Sequence, residues 1–200
     1  MKPLIIANWK MRMTIVKCIQ FVHTFRELVQ ISKADIVLCA PFTALSALRY
    51  ELQKGRGNVI GHIYHPIQLG AQDMHYEESG AFTGEISPTM VKELAQYVII
   101  GHSERRSMFH ETDADVHKKI LAAHAVGLIP IICFGAFVGE KQGTVSNFVE
   151  KALEHQMRNC LTGVSLEHKN KIVIAYEPVE AVDSGHAADP QRINNILHFL

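Results

Sequence analysis

Six short apolar runs recur along the chain, at residues 4–7, 36–40, 67–71, 98–101, 129–133 and 172–176. The first five begin 31 or 32 residues apart, and the last follows after 43. Each run is rich in β-branched side chains and does not alternate with polar positions. That is the pattern of a parallel strand covered on both faces. The stretches between them are amphipathic. Ile15, Ile19, Val22, Phe25 and Val29 share one helical face, while Lys17, Arg26 and Glu27 lie off it. Residues 43–53, 88–96, 113–125, 144–160 and 189–200 read as helices in the same way. Pro88 and Pro190 suit first helical turns, with Ser87 and Asp189 before them as caps. Gly127 suits a C-terminal cap.

The pattern is six strand–helix units with no shift in composition, so a single domain over residues 1–200 is expected. Repeating units of this kind build a doubly wound open sheet or a (β/α)8 barrel. An open dinucleotide-binding sheet carries GxGxxG after its first strand, and here that place holds Asn8-Trp9-Lys10. The GRG at 55–57 is an isolated turn signal. The expected class is therefore α/β, of the (β/α)8-barrel family. A barrel needs eight units and about 250 residues is typical, whereas 200 residues supply about six. An incomplete barrel is expected.

Composition narrows the function classes. Twenty Lys and Arg balance twenty Asp and Glu, which argues against a nucleic-acid partner and against an acidic disordered tail. The first apolar run is too short for the core of a signal peptide, and no stretch approaches the roughly 18 apolar residues of a membrane span. Cys18, Cys39, Cys133 and Cys160 show no CxxC and no close pairing. Buried free thiols in a reducing cytoplasm are the simplest expectation.

In repeating strand–helix folds, ligands meet the carboxyl ends of the strands. The polar residues at those places are Asn8 and Lys10, Gln72 and Asp73, His102, Ser103 and Glu104, and Glu177. A carboxylate, an imidazole and an ammonium together can move a proton beside a carbonyl. The first removes the proton, the second polarises the oxygen and the third offsets the developing charge. Each has a plainer alternative. Lys10 reads equally as a solvated loop residue, His102 as a structural hydrogen-bonder, Glu104 as a partner of Arg105 or Arg106, and Glu177 as the start of a loop. Their common placement favours the joint reading.

The local strings are sharper still. Asn8-Trp9-Lys10, LGAQDMHYEESGAFTGEISP (69–88), YVIIGHSERRSMF (97–109) and AYEPV (175–179) occur in order at this spacing. Together they resemble the triosephosphate isomerase family from residue 1 to about 200. The resemblance implies interconversion of dihydroxyacetone phosphate and glyceraldehyde 3-phosphate through an enediolate, a step of glycolysis and gluconeogenesis. It implies no cofactor and no metal. By position, Asn8 and Lys10 match the substrate-binding Asn-x-Lys, the lysine also stabilising the enediolate. His102 matches the electrophile, a neutral imidazole at the N-terminus of a short helix. Glu177 matches the general base, Glu104 a second glutamate that assists proton handling, and Ser103 a supporting polar position. Ser184, in the loop after the base, matches a substrate-binding position. GAFTGE implies a homodimer, with Phe82 and Thr83 at the tip of the interface loop. Glu85 and Arg105 are expected to support the site.

The match departs in places. Glu180 and Asp183 stand where the family has a hinge tryptophan and a phosphate-gripping glycine in its lid, and Ala136 replaces a glutamate associated with that lid. The family continues past the position of Leu200 with two further strand–helix units, without which two strand edges are left unpaired. Residues 61–66 read as an inserted surface loop, so His62, His65 and His75 are not taken as metal ligands. His110 stands where the family usually has glycine. These departures set an alternative beside the enzyme: an impaired or inactive isoform acting, if at all, through protein interactions.

Overall fold

The structure, a computed structural model, describes residues 2–29, 32–54, 67–135, 145–165, 167, 171–178, 181 and 187–200, without the side chains of 145–148. The chain forms two compact units, Met1–Ile99 with Ala122–Ile129, and Ile100–Leu121 with Pro130–Leu200.

The first unit carries β1 (Leu4–Asn8), α1 (Ile15–Leu28), β2 (Asp35–Ala40), α2 (Phe42–Lys54), β3 (Ile67–Ala71), α3 (Pro88–Leu94) and most of β4 (Tyr97–Ile100). Its strands are parallel. Leu4 lies opposite Asp35, Ile36 opposite Ile67, and Gly70 opposite Tyr97. β2 is buried on both faces from Ile36 to Ala40, as its unbroken apolar run requires. Cys18 and Val22 of α1 and Leu45 and Leu48 of α2 complete its core. Thr14 starts α1 by accepting the Lys17 N–H, and Ser87 starts α3 by accepting the Met90 N–H at 3.3 Å, with Pro88 following.

The second unit carries α4 (Ser103–Met108), most of α5 (Asp113–Ala125), most of β5 (Ile129–Phe134), α6 (Val145–Leu161), β6 (Val173–Tyr176) and α7 (Pro190–Phe199). β5 and β6 are parallel, with Ile131 opposite Val173 and Phe134 opposite Tyr176. Ile132, Phe134, Val116, Ile120 and Leu153 are fully buried. Asp189 caps α7 by accepting the Gln191 N–H at 3.0 Å.

Two details differ from the reading of the runs. β4 stops at Ile100, not Gly101, because Gly101 turns to φ +73, which no strand accommodates. β1 and β6 are not covered like the inner strands: Ile5 is 54% and Ile174 37% exposed. Among the described residues β1 pairs only with β2, and β6 only with β5. No helix among the described residues is long and apolar enough to cross a membrane.

Candidate active site

The end of β4 sets the site in the second unit. A Cβ on Gly101 would meet Val116 Cγ2 at 2.9 Å and Arg106 Nη2 at 3.0 Å, so neither the space nor the positive φ suits another residue. His102 follows in extended backbone and is the N-cap of α4. Its Nδ1 accepts the Glu104 backbone N–H at 3.2 Å, the place usually filled by a Ser or Asp oxygen. An Nδ1 that accepts carries no proton, so the neutral ring holds its hydrogen on Nε2.

That Nε2 meets Glu177 Oε1 at 2.8 Å, while Glu177 Oε2 accepts the Ser103 N–H at 2.8 Å. The carboxylate thus rests against the N-terminal end of α4, where backbone N–H groups favour negative charge. Glu177 itself follows β6 directly, and its own N–H donates to the Phe134 carbonyl at 2.8 Å, which continues the β5–β6 pairing by one residue. Both side chains are nearly buried, at 11% and 14% exposure. Glu104 Oε2 lies 3.6 Å from His102 Nδ1. The structure therefore brings His102, Ser103, Glu104 and Glu177 together.

The flanking arginines have other partners. Arg105 Nε donates to Glu111 Oε2 at 3.1 Å, and Lys119 Nζ lies 2.7 Å from Glu111 Oε1. Arg106 Nη1 donates to Asp113 Oδ1 at 2.6 Å. Arg105 and Arg106 thus each hold a carboxylate further along the chain.

Asn8 and Lys10 belong to the first unit. Lys10 is left-handed, with φ +48. Its N–H donates to Asn8 Oδ1 at 2.9 Å, and its carbonyl accepts from Gln72 Nε2 at 3.0 Å. Gln72 Nε2 also donates to the Cys39 carbonyl at 2.9 Å. Both backbone polar groups of this strained residue are thereby held by side chains, which is how such strain persists in a folded chain. In the sequence Gln72 is a polar residue just past the apolar run of 67–71, and nothing there distinguishes this backbone-holding role from a ligand-facing one.

Phe82 and Thr83 also lie in the first unit, in the loop between β3 and α3. The His75 N–H donates to the Ile86 carbonyl at 2.8 Å, which ties the loop's ends. The Phe82 ring lies 4.3 Å from the His75 ring, and a Cβ on Gly80 would strike it at 2.6 Å. Ser184, Asp183, Glu180, Ala136, His62 and His65 lie outside the described residues. No group of three potential metal ligands occurs among the described residues.

The family model described as triosephosphate isomerase matches residues 3–200. The chain belongs to the triosephosphate isomerase family. It is 43% identical over 202 aligned residues to the triosephosphate isomerase of Clostridium botulinum (strain ATCC 19397 / Type A), covering 100% of this chain and 76% of that protein. The same identity and coverage hold for the triosephosphate isomerase of Aquifex aeolicus. Among solved structures, triosephosphate isomerase from Bartonella henselae matches with a TM-score of 0.79 and 34% identity, over 100% of this chain and 74% of that one. As a triosephosphate isomerase by family, the chain has the α/β class of that family's barrel, incomplete at six parallel strands among the described residues, and is an isomerase by descent.

Proposed function

We propose that Glu177 and His102 of this chain interconvert dihydroxyacetone phosphate and glyceraldehyde 3-phosphate. The contact that carries this reading is His102 Nε2 to Glu177 Oε1 at 2.8 Å, which sets a base beside a neutral N–H donor. Glu177 takes a proton from C1 of dihydroxyacetone phosphate. The electron pair of that C–H bond becomes the C1–C2 double bond of an enediolate. His102 Nε2–H hydrogen-bonds the carbonyl oxygen as negative charge gathers there. The carboxyl group returns the proton at C2, and the hydroxyl proton passes from O1 to O2, which completes the aldehyde. Atoms and electrons balance within the substrate, so no cofactor is needed.

Glu177 must leave its resting partners to reach carbon. Hydrogen bonds to a charged group contribute about 1.5–3 kcal/mol each, so the release is feasible only when substrate takes over the Nε2–H. Lys10 would bind substrate with Asn8 and Ser184 and offset enediolate charge, and Glu104 would assist proton handling. Two copies would associate through the loop bearing Phe82 and Thr83, in the cytoplasm, where cell fractionation would find the protein.

A coupled isomerase assay on the purified chain tests the reaction. Turnover that Glu177→Gln lowers by about 10²- to 10⁴-fold supports it, as expected for loss of a general base. A folded chain with no turnover above the Glu177→Gln blank refutes it.

A further inference from the structure

We infer that Arg106 is a positioning residue for His102, acting through the carbonyl of Gly101. Its guanidinium makes three directed contacts. Nη1 donates to Asp113 Oδ1 at 2.6 Å, Nη2 to Cys160 Sγ at 3.8 Å, and Nε to the Gly101 carbonyl at 2.8 Å. The anchors are themselves fixed. Asp113 opens α5, and its Oδ2 accepts from Asn159 Nδ2 at 3.1 Å. Cys160 is fully buried on α6; its thiol donates to Asp113 Oδ1 at 3.5 Å and its carbonyl lies 3.0 Å from His117 Nδ1. A planar fork pinned to two helices therefore grips one particular oxygen.

That oxygen belongs to the peptide joining Gly101 to His102. A peptide is planar and carries the Cα atoms of both residues. Holding the Gly101 carbonyl thus fixes the plane from which the His102 side chain springs. Gly101 sits at φ +73 with no room for a Cβ, so its own backbone supplies little restraint and the restraint comes from outside. The other half of the imidazole's orientation comes from the Glu104 N–H on Nδ1. A misplacement of about 1 Å at a reacting group costs about a hundredfold in rate. Arg106 touches neither His102's ring nor Glu177 in these contacts; it acts on where the ring points.

This inference rests on the reading of His102 as the electrophile. Arg106→Lys separates charge from grip. The ammonium still pairs with Asp113, but a single point donor cannot hold Asp113 and the Gly101 carbonyl in the fork's geometry. The experiment uses the full chain labelled with ¹⁵N-histidine. The His102 ring nitrogens, assigned by their loss in His102→Asn, are read by NMR beside kcat and KM. The expected result is a wild-type His102 held as the Nε2–H tautomer, and Arg106→Lys with a mixed tautomer signal. The variant's kcat is expected to fall about a hundredfold with KM within about twofold. A folded Arg106→Lys with the wild-type His102 signal overturns the inference, whatever its kcat. Should Arg106→Lys fail to fold, Asp113→Asn, which removes the charge holding the fork, is judged by the same readouts. A wild-type chain without turnover would refute the reaction proposed above, while the His102 signal would still decide the role of Arg106.

Discussion

At His102 one ring nitrogen is used by the helix it caps, and that commitment leaves the other as the donor. The residue type was legible from its place after an apolar run; the tautomer was not, because it depends on the Glu104 N–H that α4 brings round. The same scale explains His110. The sequence shows a histidine where the family usually has glycine, and the structure gives the reason for the glycine: φ here is +57. A non-glycine residue in that region costs roughly 1–2 kcal/mol, partly offset by the greater unfolded-state entropy of glycine. His110→Gly should therefore raise stability by about 0.5–1 kcal/mol, measured by urea denaturation; an unchanged or lower midpoint would refute the strain. Cys39 and Cys160 give a second expectation. Burial pushes the Cys39 thiol up to about 12, and burial together with the nearby Asp113 carboxylate does the same for Cys160. At pH 8 either thiolate would be about a ten-thousandth of the population. Iodoacetamide should leave both unmodified in the folded chain and label them after unfolding, as mass spectrometry of digests would show. The sign for stability follows. The unfolded thiols ionise near 9 and the folded ones near 12, so stability conferred below that window is lost as pH rises through it.

Elements were the most legible level. The runs located all six strands to within a residue or two, because a parallel strand buried on both faces must be continuously apolar. The caps at Ser87 and Asp189 were legible for the same reason: each sits before a proline that opens a helix. α4 has no apolar run and only six residues, and it came from the family resemblance, not from periodicity. Strand-to-strand fit was not legible either. Gly70 reads as a weak strand residue, yet a Cβ there would lie 2.6 Å from Cys39 Sγ and 3.3 Å from Val37 Cγ1. β2 and β3 thus mesh a sulfur into the space a side chain would take. Gly70→Ala should cost about 1–3 kcal/mol by overpacking. Adding Cys39→Ala should recover part of that loss, since the sulfur is then gone. A thermal-melt double-mutant cycle with no coupling between the two sites would count against this account.

For the molecule as a whole, the balanced charge narrowed the classes, and four family strings named one of them. The sequence did not show that the chain divides into two units, because the division follows contacts and not composition. The proposed single domain and homodimer make one joint expectation. Calorimetry should give a single transition whose midpoint rises with protein concentration, since a partner that binds only the folded chain stabilises it by mass action. Phe82→Asp should abolish the concentration dependence. Two separate transitions would count against the single domain, and a midpoint independent of concentration against the dimer. The division has a further consequence for synthesis. The first unit runs to Ile99 but takes back residues 122–129, where Ile129 N–H donates to the Gln96 carbonyl and Lys92 Nζ to the Gly127 carbonyl. As the ribosome extrudes the chain from its N-terminus, the first unit cannot close when β4 emerges. It waits for 22 residues of the second unit, 100–121, to pass before its last stitches arrive. The two units are therefore interleaved in time, and no cut of the chain into two contiguous pieces would release either one whole.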